Sequence, residues 1–576
     1  MNYLYRYIKP YIGIMFVGLT IKTIGTLSEL ALPYILSYIL DTIVPANGKV
    51  SMISAWGCLM IFFALAALIC NVKANRMASR VSRDCTEKIR HDLFHRTMTL
   101  SAKQIDTFTI PSLESRITTD TYNVQSFINR IQRLGVRAPL LLLGGIIVTL
   151  VMDPFLSLVM IAVLPVIFIL VYFISTLGVK LYSNVQKSMD NMIRVVREDS
   201  QGIRVIKALS NVGREQQRYD QVNQKLVENE KRASLIMGTA NPVMNLMMNL
   251  GITFVVLIGA CRVMGHQTDP GKIVAFTQYF TMISTGMISI TRMFMMYTKC
   301  SASASRIQQV VDAPEDLMLH SESKYPPKHE NGHIVFDQVD FAYSKGRDIL
   351  QNISFSLPRG KSMGIIGATG SGKTTLISLL MRFYDVDSGA VRIDGRDIRT
   401  IPEEQLHQKF GIAMQNDFLY SETIEENIRF GREIEMEDIA RAGEIAQAND
   451  FITDFPEDYR HVLTQKATNL SGGQKQRLLI ARALAENPDI LILDDSFSAL
   501  DYKTDASLRR AISQHMKSDM TMIVVAQRVS SVRNCDLILV LDKGRVIGKG
   551  DHGHLMNTCS IYQEISESQM GGMFLD

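Results

Sequence analysis

Six apolar runs in the first half of this 576-residue chain constrain its fold more than any other feature. A helix needs about 20 predominantly apolar residues to cross a bilayer. Two of the runs, 140–151 and 155–174, lack the charged stripe of a helix on the surface of a soluble protein, which argues against a soluble all-helical domain. We therefore predict membrane-spanning helices at 11–40, 52–75, 136–152, 155–177, 242–264 and 273–297.

The connections between these runs are very unequal in length. Three have only about 2 to 12 residues, whereas the second–third and fourth–fifth connections run to about 60 residues and are rich in lysine and arginine. Because cytoplasmic loops carry such an excess of positive charge, we place both long connections and the N-terminus in the cytoplasm. We expect both connections to be helices that extend the spans beyond the membrane, and residues 1–9 to form a short helix at the membrane interface.

The bulk composition argues against two other classes of protein. A net charge of +4 does not fit a nucleic-acid-binding protein with a large basic surface, so we expect no nucleic acid partner. The seven cysteines have no CxxC pair and no metal-ligand spacing, so they predict neither a disulfide framework nor a zinc site.

The character of the chain changes near residue 312. Residues 312–331 hold Pro314, Pro326 and Pro327 among charged residues, which is typical of a linker. Beyond the linker, short strands rich in valine, isoleucine and leucine alternate with helical patterns, as in an α/β domain with parallel strands. The predicted fold is multi-domain: an all-α transmembrane domain of six long helices (1–311), the linker (312–331) and an α/β P-loop nucleotide-binding domain (332–576).

A phosphate-binding loop lies between a short apolar strand at 363–366 and a helical stretch at 375–383. It matches GxxxxGK[ST] in the strand–loop–helix context that its mechanism requires. The glycines let backbone N–H groups close around the phosphates, and the helix N-terminus adds a favourable dipole. Lys373 is expected to reach the β- and γ-phosphates and Thr374 to offer its hydroxyl to Mg²⁺. The predicted site for ATP and Mg²⁺ comprises Gly367, Ala368, Thr369, Gly370, Ser371, Gly372, Lys373 and Thr374.

Two further motifs follow the phosphate-binding loop. An apolar strand at 490–493 ends in Asp494 and Asp495, and an acidic residue at that end of a strand is placed to hold Mg²⁺ through its water shell. The segment Leu-Ser-Gly-Gly-Gln at 470–474 precedes this strand. With these motifs, the whole chain resembles half-size ATP-binding cassette (ABC) exporters of the type IV fold, in which one membrane domain precedes one nucleotide-binding domain.

The resemblance implies roles for further residues. Tyr343 would stack on adenine. Gln415 would bind Mg²⁺ together with Thr374 and Asp494. In this family two nucleotide-binding domains enclose two ATP molecules head to tail, and the segment 498–501 crosses to the partner. The residues that would therefore serve the partner's ATP site are Ser471, Gly472, Gly473, Gln474 and Asp501.

The chain departs from the family at two catalytic positions. The residue after the strand-terminal aspartate is usually the glutamate that orients the attacking water, and here it is Asp495, whose carboxylate is withdrawn by about 1.5 Å, one C–C bond. Gln527 stands where a histidine usually precedes Arg528, and an amide cannot become cationic or shuttle a proton. We interpret the pair as a degenerate site that binds ATP and turns it over slowly, in a chain that resembles the degenerate-site subunit of bacterial heterodimeric multidrug exporters.

The resemblance also implies the surroundings of the protein: the bacterial cytoplasmic membrane and its lipids, a second, non-identical half-transporter, and a hydrophobic or cationic small-molecule substrate. Glu29 lies seven residues after Lys22 inside the first run, on one helical face, and ionisable groups at that depth usually face a protein interior or a watery pathway. We expect Glu29 to contact a cationic substrate; the alternative is a structural role beside a snorkelling Lys22. Export of lipids or peptides, and a regulatory or channel-like protein gated by ATP, remain alternative functions.

Overall fold

The structure of the chain, a computed structural model, describes residues 2–46, 50–328, 332–343, 348–415, 418–515 and 517–570. These residues form two compact units. One unit combines Met1–Thr99 with Ile110–Ala313, and the other combines Leu100–Thr109 with Pro314–Asp576.

The first unit is entirely helical. In the described part of the chain, six continuous helical segments are long and apolar enough to cross a membrane, which confirms the predicted number of spans. Several run far beyond the apolar stretches, as expected for the two long connections. The helices are α1 (Asn2–Ile8), α2 (Ile12–Tyr38), α3 (Val50–Met98), α5 (Ile110–Ser115), α6 (Thr121–Leu134), α7 (Arg137–Met152), α8 (Pro154–Ala208), α9 (Val212–Gly238), α10 (Ala240–Met264) and α11 (Pro270–Val311), with α4 (Ala102–Phe108) assigned to the second unit.

Close helix packing builds the apolar core of this unit. Tyr279 and Phe280 of α11 are fully buried against residues of α2, α7, α8 and α10, such as Leu30 and Leu156. A Cβ atom at Gly286 would lie 2.8 Å from the backbone oxygen of Ala138, so α11 approaches α7 at a distance that only glycine allows. Small residues at such crossings are typical of membrane helices, whose association depends on close packing.

An ion pair between a buried carboxylate and a half-exposed arginine stabilises the cytoplasmic end of α11. Asp120 is 1% exposed and accepts hydrogen bonds from the guanidinium of Arg306 and, at 2.8 Å, from the Ser303 hydroxyl. Removing one partner of such a pair leaves an uncompensated charge, which destabilises a protein strongly. We assign this pair a structural role.

The second unit contains two sheets. The six-stranded sheet has the order β10-β9-β3-β8-β7-β6, and neighbouring strands are parallel except β9 and β10. The four-stranded sheet has the order β2-β1-β4-β5 and is antiparallel throughout. The strands are β1 (Ile334–Phe341), β2 (Leu350–Leu357), β3 (Ser362–Gly367), β4 (Ser388–Ile393), β5 (Arg396–Asp397), β6 (Phe410–Ala413), β7 (Ile490–Asp494), β8 (Thr521–Ala526), β9 (Leu537–Asp542) and β10 (Arg545–Gly550).

The antiparallel sheet differs from the expected domain with parallel strands. Side chains of β2 alternate between buried and exposed positions, which is the pattern of a strand with one solvated face. Residues of β3 and β7 are buried almost throughout, as in a parallel sheet that is covered on both faces. The helices of this unit, besides α4, are α12 (Lys373–Leu380), α13 (Glu403–His407), α14 (Ile424–Arg429), α15 (Met436–Ile445), α16 (Asn449–Ile452), α17 (Gly472–Leu484), α18 (Tyr502–His515), α19 (Val529–Val532), α20 (His552–Thr558) and α21 (Ser560–Met570).

The strand order determines where the predicted site residues meet. β8 lies between β3 and β7, and the three strands run parallel. Their carboxyl ends therefore form one edge of the sheet, where ligands bind in open α/β folds. The phosphate-binding loop, Asp495 and Gln527 all follow these three strand ends.

Candidate nucleotide site

The phosphate-binding loop connects β3 to α12. Gly370 has a φ of +80°, in the region that side chains disfavour, and nothing lies within 4 Å of a Cβ atom built there. Glycine is therefore required at this position by the backbone conformation, since a side chain would have enough space. The loop borders a cavity of about 300 Å³, and its lining includes Thr369, Gly370, Gly372, Lys373, Thr374, Gln415, Asp494, Asp495 and Gln527.

The loop fits a phosphate group. Lys373 Nζ donates to the backbone oxygens of Gly367 and Ala368, at 2.8 and 2.9 Å, so the ammonium group is held inside the loop. Burial lowers the pKa of Lys373 below its usual value, and a nearby anion would favour its charged form. The buried Ser371 hydroxyl lies in the same loop and has no hydrogen-bond partner in the described part of the chain. These donors match the oxygen-rich surface of a nucleotide phosphate.

Thr374 and Asp494 form the pair of oxygen ligands that suits Mg²⁺. The Thr374 hydroxyl donates to Asp494 Oδ2 at 3.3 Å, and Asp494, the last residue of β7, is 3% exposed. Burial raises the pKa of Asp494, so a bound cation would stabilise its charged form. Mg²⁺ is commonly held by one or two protein oxygens together with substrate phosphates. Gln415 lines the same cavity, but its amide nitrogen donates to Asp495.

One carboxylate oxygen of Asp495 accepts hydrogen bonds from two other predicted site residues. Its Oδ2 accepts from the amide of Gln415 at 3.0 Å and from the amide of Gln527 at 3.3 Å. The backbone of Asp495 has a φ of +50°, and its N–H donates to the oxygen of Val525 at 2.9 Å. Burial raises the pKa of this carboxyl, whereas Lys373, Arg528 and Gln415 oppose the shift. The two positions at which the sequence departs from the family are therefore in direct contact.

Tyr343 lies at the margin of the site. Its hydroxyl is 3.1 Å from the hydroxyl of Thr375, which lines the cavity, and its side chain remains exposed. The Tyr343 ring meets the ring of Tyr384 edge to face, with centroids 5.1 Å apart. The Tyr384 hydroxyl in turn donates to Asp106 of α4 at 2.7 Å. An exposed aromatic face beside the phosphate-binding loop is suited to stacking on a base.

Gln569 is a site-adjacent residue that sequence reasoning missed. Its Oε1 accepts from the N–H of Val529 at 2.8 Å, and its Nε2 donates to the backbone oxygen of Gln527 at 2.9 Å. Helix α21 thus holds the loop that carries Gln527. No local signal marks Gln569, because the contact joins residues 42 positions apart and a glutamine on an amphipathic helix is common.

The residues predicted to serve a partner's site lie apart from this cavity. Ser471 caps α17: its hydroxyl accepts from the N–H of Gln474 at 3.2 Å, and Gln474 Oε1 accepts from the Ser471 N–H at 2.8 Å. Asp501 Oδ1 accepts from the N–H groups of Lys503 and Thr504, and the hydrogen bonds from Thr504 lower its pKa. None of the residues from 471 to 474, nor Asp501, is among the described lining of the nucleotide cavity.

The first unit places Glu29 in a polar network. Glu29 Oε1 accepts from Asn71 at 2.8 Å, and Oε2 accepts from Arg137 at 3.1 Å. The carboxylate thus already has a cationic partner within the chain. Sequence reasoning chose Glu29 without identifying Arg137, because the two residues are 108 positions apart.

Comparison with known proteins places the chain in a family. A family model described as "ABC transporter transmembrane region" matches residues 15–287, and one described as "ABC transporter" matches residues 350–498. The uncharacterized ABC transporter ATP-binding protein YfiB of Bacillus subtilis is 33% identical over 567 residues, which cover 98% of both chains. The chain belongs to the ABC transporter family. The uncharacterized ABC transporter ATP-binding protein Rv1273c of Mycobacterium tuberculosis is 30% identical over 98% of this chain and 97% of its own.

A solved structure supports the same fold. The structure of a bacterial Atm1-family ABC exporter with ATP bound matches with a TM-score of 0.77, covering 98% of each chain at 23% identity. The protein is therefore an ABC transporter with the fold of a half-size exporter, a multi-pass membrane protein with a cytoplasmic nucleotide-binding domain. As in its family, ATP hydrolysis in that domain is coupled to transport.

Proposed function

We propose that this ABC exporter chain is one subunit of a heterodimer that exports drugs or other lipophilic compounds. Its own site binds ATP with Mg²⁺ and hydrolyses it slowly. Its signature segment, 471–474, completes the ATP site of a second, non-identical half-transporter. For the functional domains we propose the boundaries expected from the sequence: 1–311, 312–331 and 332–576.

The contacts of Asp495 carry this proposal. General-base catalysis depends on hydrogen-bond reach between the base and the water, and contributes typically about 10²–10⁴-fold. Asp495 is one methylene shorter than glutamate, and Gln415 and Gln527 both donate to the same carboxylate oxygen. A short carboxylate that is tethered by two amides is poorly placed to reach a water at the γ-phosphate.

The intact binding residues support retention of ATP. Lys373, Ser371 and the loop backbone supply donors for phosphate, and Thr374 with Asp494 supplies oxygen ligands for Mg²⁺. A chain that had lost its nucleotide function would have no reason to keep this set while changing only the two hydrolytic positions. The separation of Ser471 from the chain's own cavity supports a role for the signature segment in a partner's site.

The experiment restores the two altered side chains. In the full-length chain purified together with its partner in lipid nanodiscs, with the partner's catalytic glutamate replaced by glutamine so that only this chain's site can hydrolyse ATP, Asp495→Glu combined with Gln527→His should raise ATPase activity by about 10²-fold or more, because a base regains its reach. Steady-state phosphate release measures the change, and Lys373→Ala serves as the inactive reference.

Two results would contradict the proposal. One is wild-type chain, purified without a partner, that hydrolyses ATP at about ten per second or faster, an ordinary enzymatic rate. The other is a purified complex made of two copies of this chain with equally fast sites. Mass spectrometry of the complex isolated from its native membrane distinguishes a second half-transporter from a second copy.

A further inference from the structure

A cluster of charged and amide side chains joins α2, α3, α6 and α7 in the membrane-spanning unit. Glu29 of α2 lies at its centre and accepts hydrogen bonds from Asn71 at 2.8 Å and from Arg137 Nε and Nη2 at 3.3 and 3.1 Å. This contact is the one ion pair that the described residues form within the cluster. The cluster is defined by Lys22, Glu29, Asn71, Asn75, Ser79, Arg133 and Arg137.

Lys22 is buried in the cluster with amides as its partners. Its ammonium donates to Asn71 Oδ1 at 2.6 Å and to Asn75 Oδ1 at 3.2 Å, and the residue is 4% exposed. Among the described residues, no carboxylate lies within ion-pair distance of its ammonium. The positive charge of Lys22 is therefore solvated by neutral dipoles.

Arg133 adds a second positive charge without a carboxylate partner among the described residues. Its Nη2 donates to the Ser79 hydroxyl at 3.0 Å, and its buried Nε has no hydrogen-bond partner among the residues that the structure describes. A buried donor without a partner is unfavourable, because the group has lost its water. The guanidinium thus has unused capacity to bind an acceptor.

The charges of the cluster do not balance. The cluster contains three positive charges, on Lys22, Arg133 and Arg137, and a single negative charge on Glu29. The other three charged groups all interact electrostatically with Lys22. Lys22, Glu29 and Arg137 lie within predicted spans, where uncompensated charge is unfavourable and ionisable residues usually mark a ligand pathway. The Arg137 side chain is 38% exposed, twice the 19% of Glu29, so the more accessible partner of the pair is the cation.

We propose that this cluster binds an acidic group, a carboxylate or a phosphate, of an amphiphilic molecule. Arg137 and Arg133 donate to the acidic group, and Lys22 adds to the positive potential. Glu29 orients Arg137 and is not a contact for a cationic substrate. The proposal rests on the proposed export of lipophilic compounds, whose substrate class it narrows, and it does not depend on the degenerate ATP site.

The experiment compares probes that differ only in their head group. Binding of pyrenebutyrate, its methyl ester and pyrenebutyl-trimethylammonium is measured at equilibrium with the full-length chain in phosphatidylcholine nanodiscs, after subtraction of empty nanodiscs. We expect pyrenebutyrate to bind most tightly. Arg137→Gln and Arg133→Gln should each raise its Kd about tenfold or more, because each removes a charge-assisted hydrogen bond.

Three variants make the comparison specific. Arg130→Gln removes an exposed positive charge one turn earlier on α6 and should change the Kd by less than about twofold. Arg133→Gln leaves the Glu29–Arg137 pair intact, so its effect is free of damage to that pair. Glu29→Gln releases Arg137 and should tighten pyrenebutyrate binding. If Glu29 instead contacted a cationic substrate, Glu29→Gln would abolish binding of the trimethylammonium probe.

Two results would contradict an acidic ligand at this cluster. Equal effects of the variants at 130, 133 and 137, or selective loss of the trimethylammonium probe in Glu29→Gln, would overturn the proposal. Displacement of pyrenebutyrate by phosphatidylglycerol in the nanodiscs would assign the site to a lipid head group, and no displacement would assign it to a transported acid. Because binding needs no hydrolysis, a fast ATPase would contradict the degenerate site and leave this measurement unaffected.

Discussion

In the proposed degenerate site, Asp495 is the residue that separates ATP binding from ATP hydrolysis. Its carboxylate is one bond shorter than that of glutamate, and two amides donate to its Oδ2 atom. Its left-handed backbone conformation is one that aspartate tolerates better than most residues. The same residue remains close enough to Lys373 for their charges to interact, so the phosphate side of the site is preserved.

The raised pKa of Asp495 leads to a prediction about pH. Only the ionised carboxylate acts as a base, and burial shifts its titration above the ordinary aspartate value of about 3.9. The slow hydrolysis that we propose for this chain should therefore fall as the pH decreases through that raised pKa and level off above it. Single-turnover hydrolysis of radiolabelled ATP across a pH series measures this dependence.

Asp495→Asn provides the comparison. It should remove both the residual hydrolysis and its pH dependence while ATP still binds, as followed by a fluorescent ATP analogue at each pH. An identical pH profile in Asp495→Asn and the wild type would show that another group titrates.

The residues differ in how far the sequence predicts their surroundings. The phosphate-binding loop is predictable because its contacts lie within one strand–loop–helix segment, where spacing fixes geometry. The pairing of Glu29 with Arg137 is not, since it joins α2 to α7 across 108 positions. The amide contacts of Asp495 likewise depend on β6, β7 and β8 lying side by side, which only the sheet order reveals.

At the scale of elements, α21 holds the loop that follows β8. The side chain of Gln569 donates to the backbone oxygen of Gln527 and accepts from the N–H of Val529. A cavity of about 530 Å³ lies beside this loop, and its lining includes Asp495, Gln527 and the buried Ser566. The two hydrogen bonds between Gln569 and this loop restrain it on the side of α21.

Gln569→Leu should loosen this loop in a measurable way. The Val529 N–H loses its acceptor, and a hydrogen bond is worth about 1 kcal/mol, so its amide should exchange with solvent about five- to tenfold faster. Gln569→Glu keeps an acceptor and should retain most of the protection. Hydrogen–deuterium exchange of the full-length chain measures both variants.

The control for this prediction lies on the same helix. Gln563→Leu replaces an exposed glutamine of α21 six residues before Gln569. It should leave the amide exchange of Val529 unchanged, because Val529 bonds to Gln569. Equal exchange in Gln569→Leu and the wild type would mean that the backbone alone orders the loop.

Elements were predictable where one physical requirement dominates their sequence. A membrane span needs about 20 apolar residues, so the six spans were evident, and β3 and β7 are short apolar runs. The antiparallel sheet was missed because its strands alternate buried and exposed residues, as β2 does, and such short patterns resemble loops as well as strands. The sequence predicts that the spans continue as helices into the two long connections, but it does not predict where those helices end, because α3 and α8 continue into polar sequence without a break.

At the scale of the whole molecule, a single chain presents a nucleotide cavity and a signature segment that do not meet among the described residues. Ser471 is exposed at the start of α17, and a Cβ atom at Gly472 would have no neighbour within 4 Å. A helix N-terminus with free space before it is suited to an anion. The proposed heterodimer gives this surface a ligand, the γ-phosphate held by the second half-transporter.

Ser471→Arg tests that assignment in the assembled exporter. The larger cationic side chain should block the partner's site and lower ATPase activity about 10²-fold or more, the typical effect of losing stabilisation at a reacting phosphate. ATP binding by this chain's own loop should remain within about twofold, because Ser471 does not line its cavity. Photolabelling with an azido-ATP analogue, resolved by subunit, measures the two sites separately.

Ser513→Arg, on an exposed position of α18, is the control and should change neither the ATPase activity nor the labelling. Loss of labelling confined to this chain in Ser471→Arg would refute the assignment.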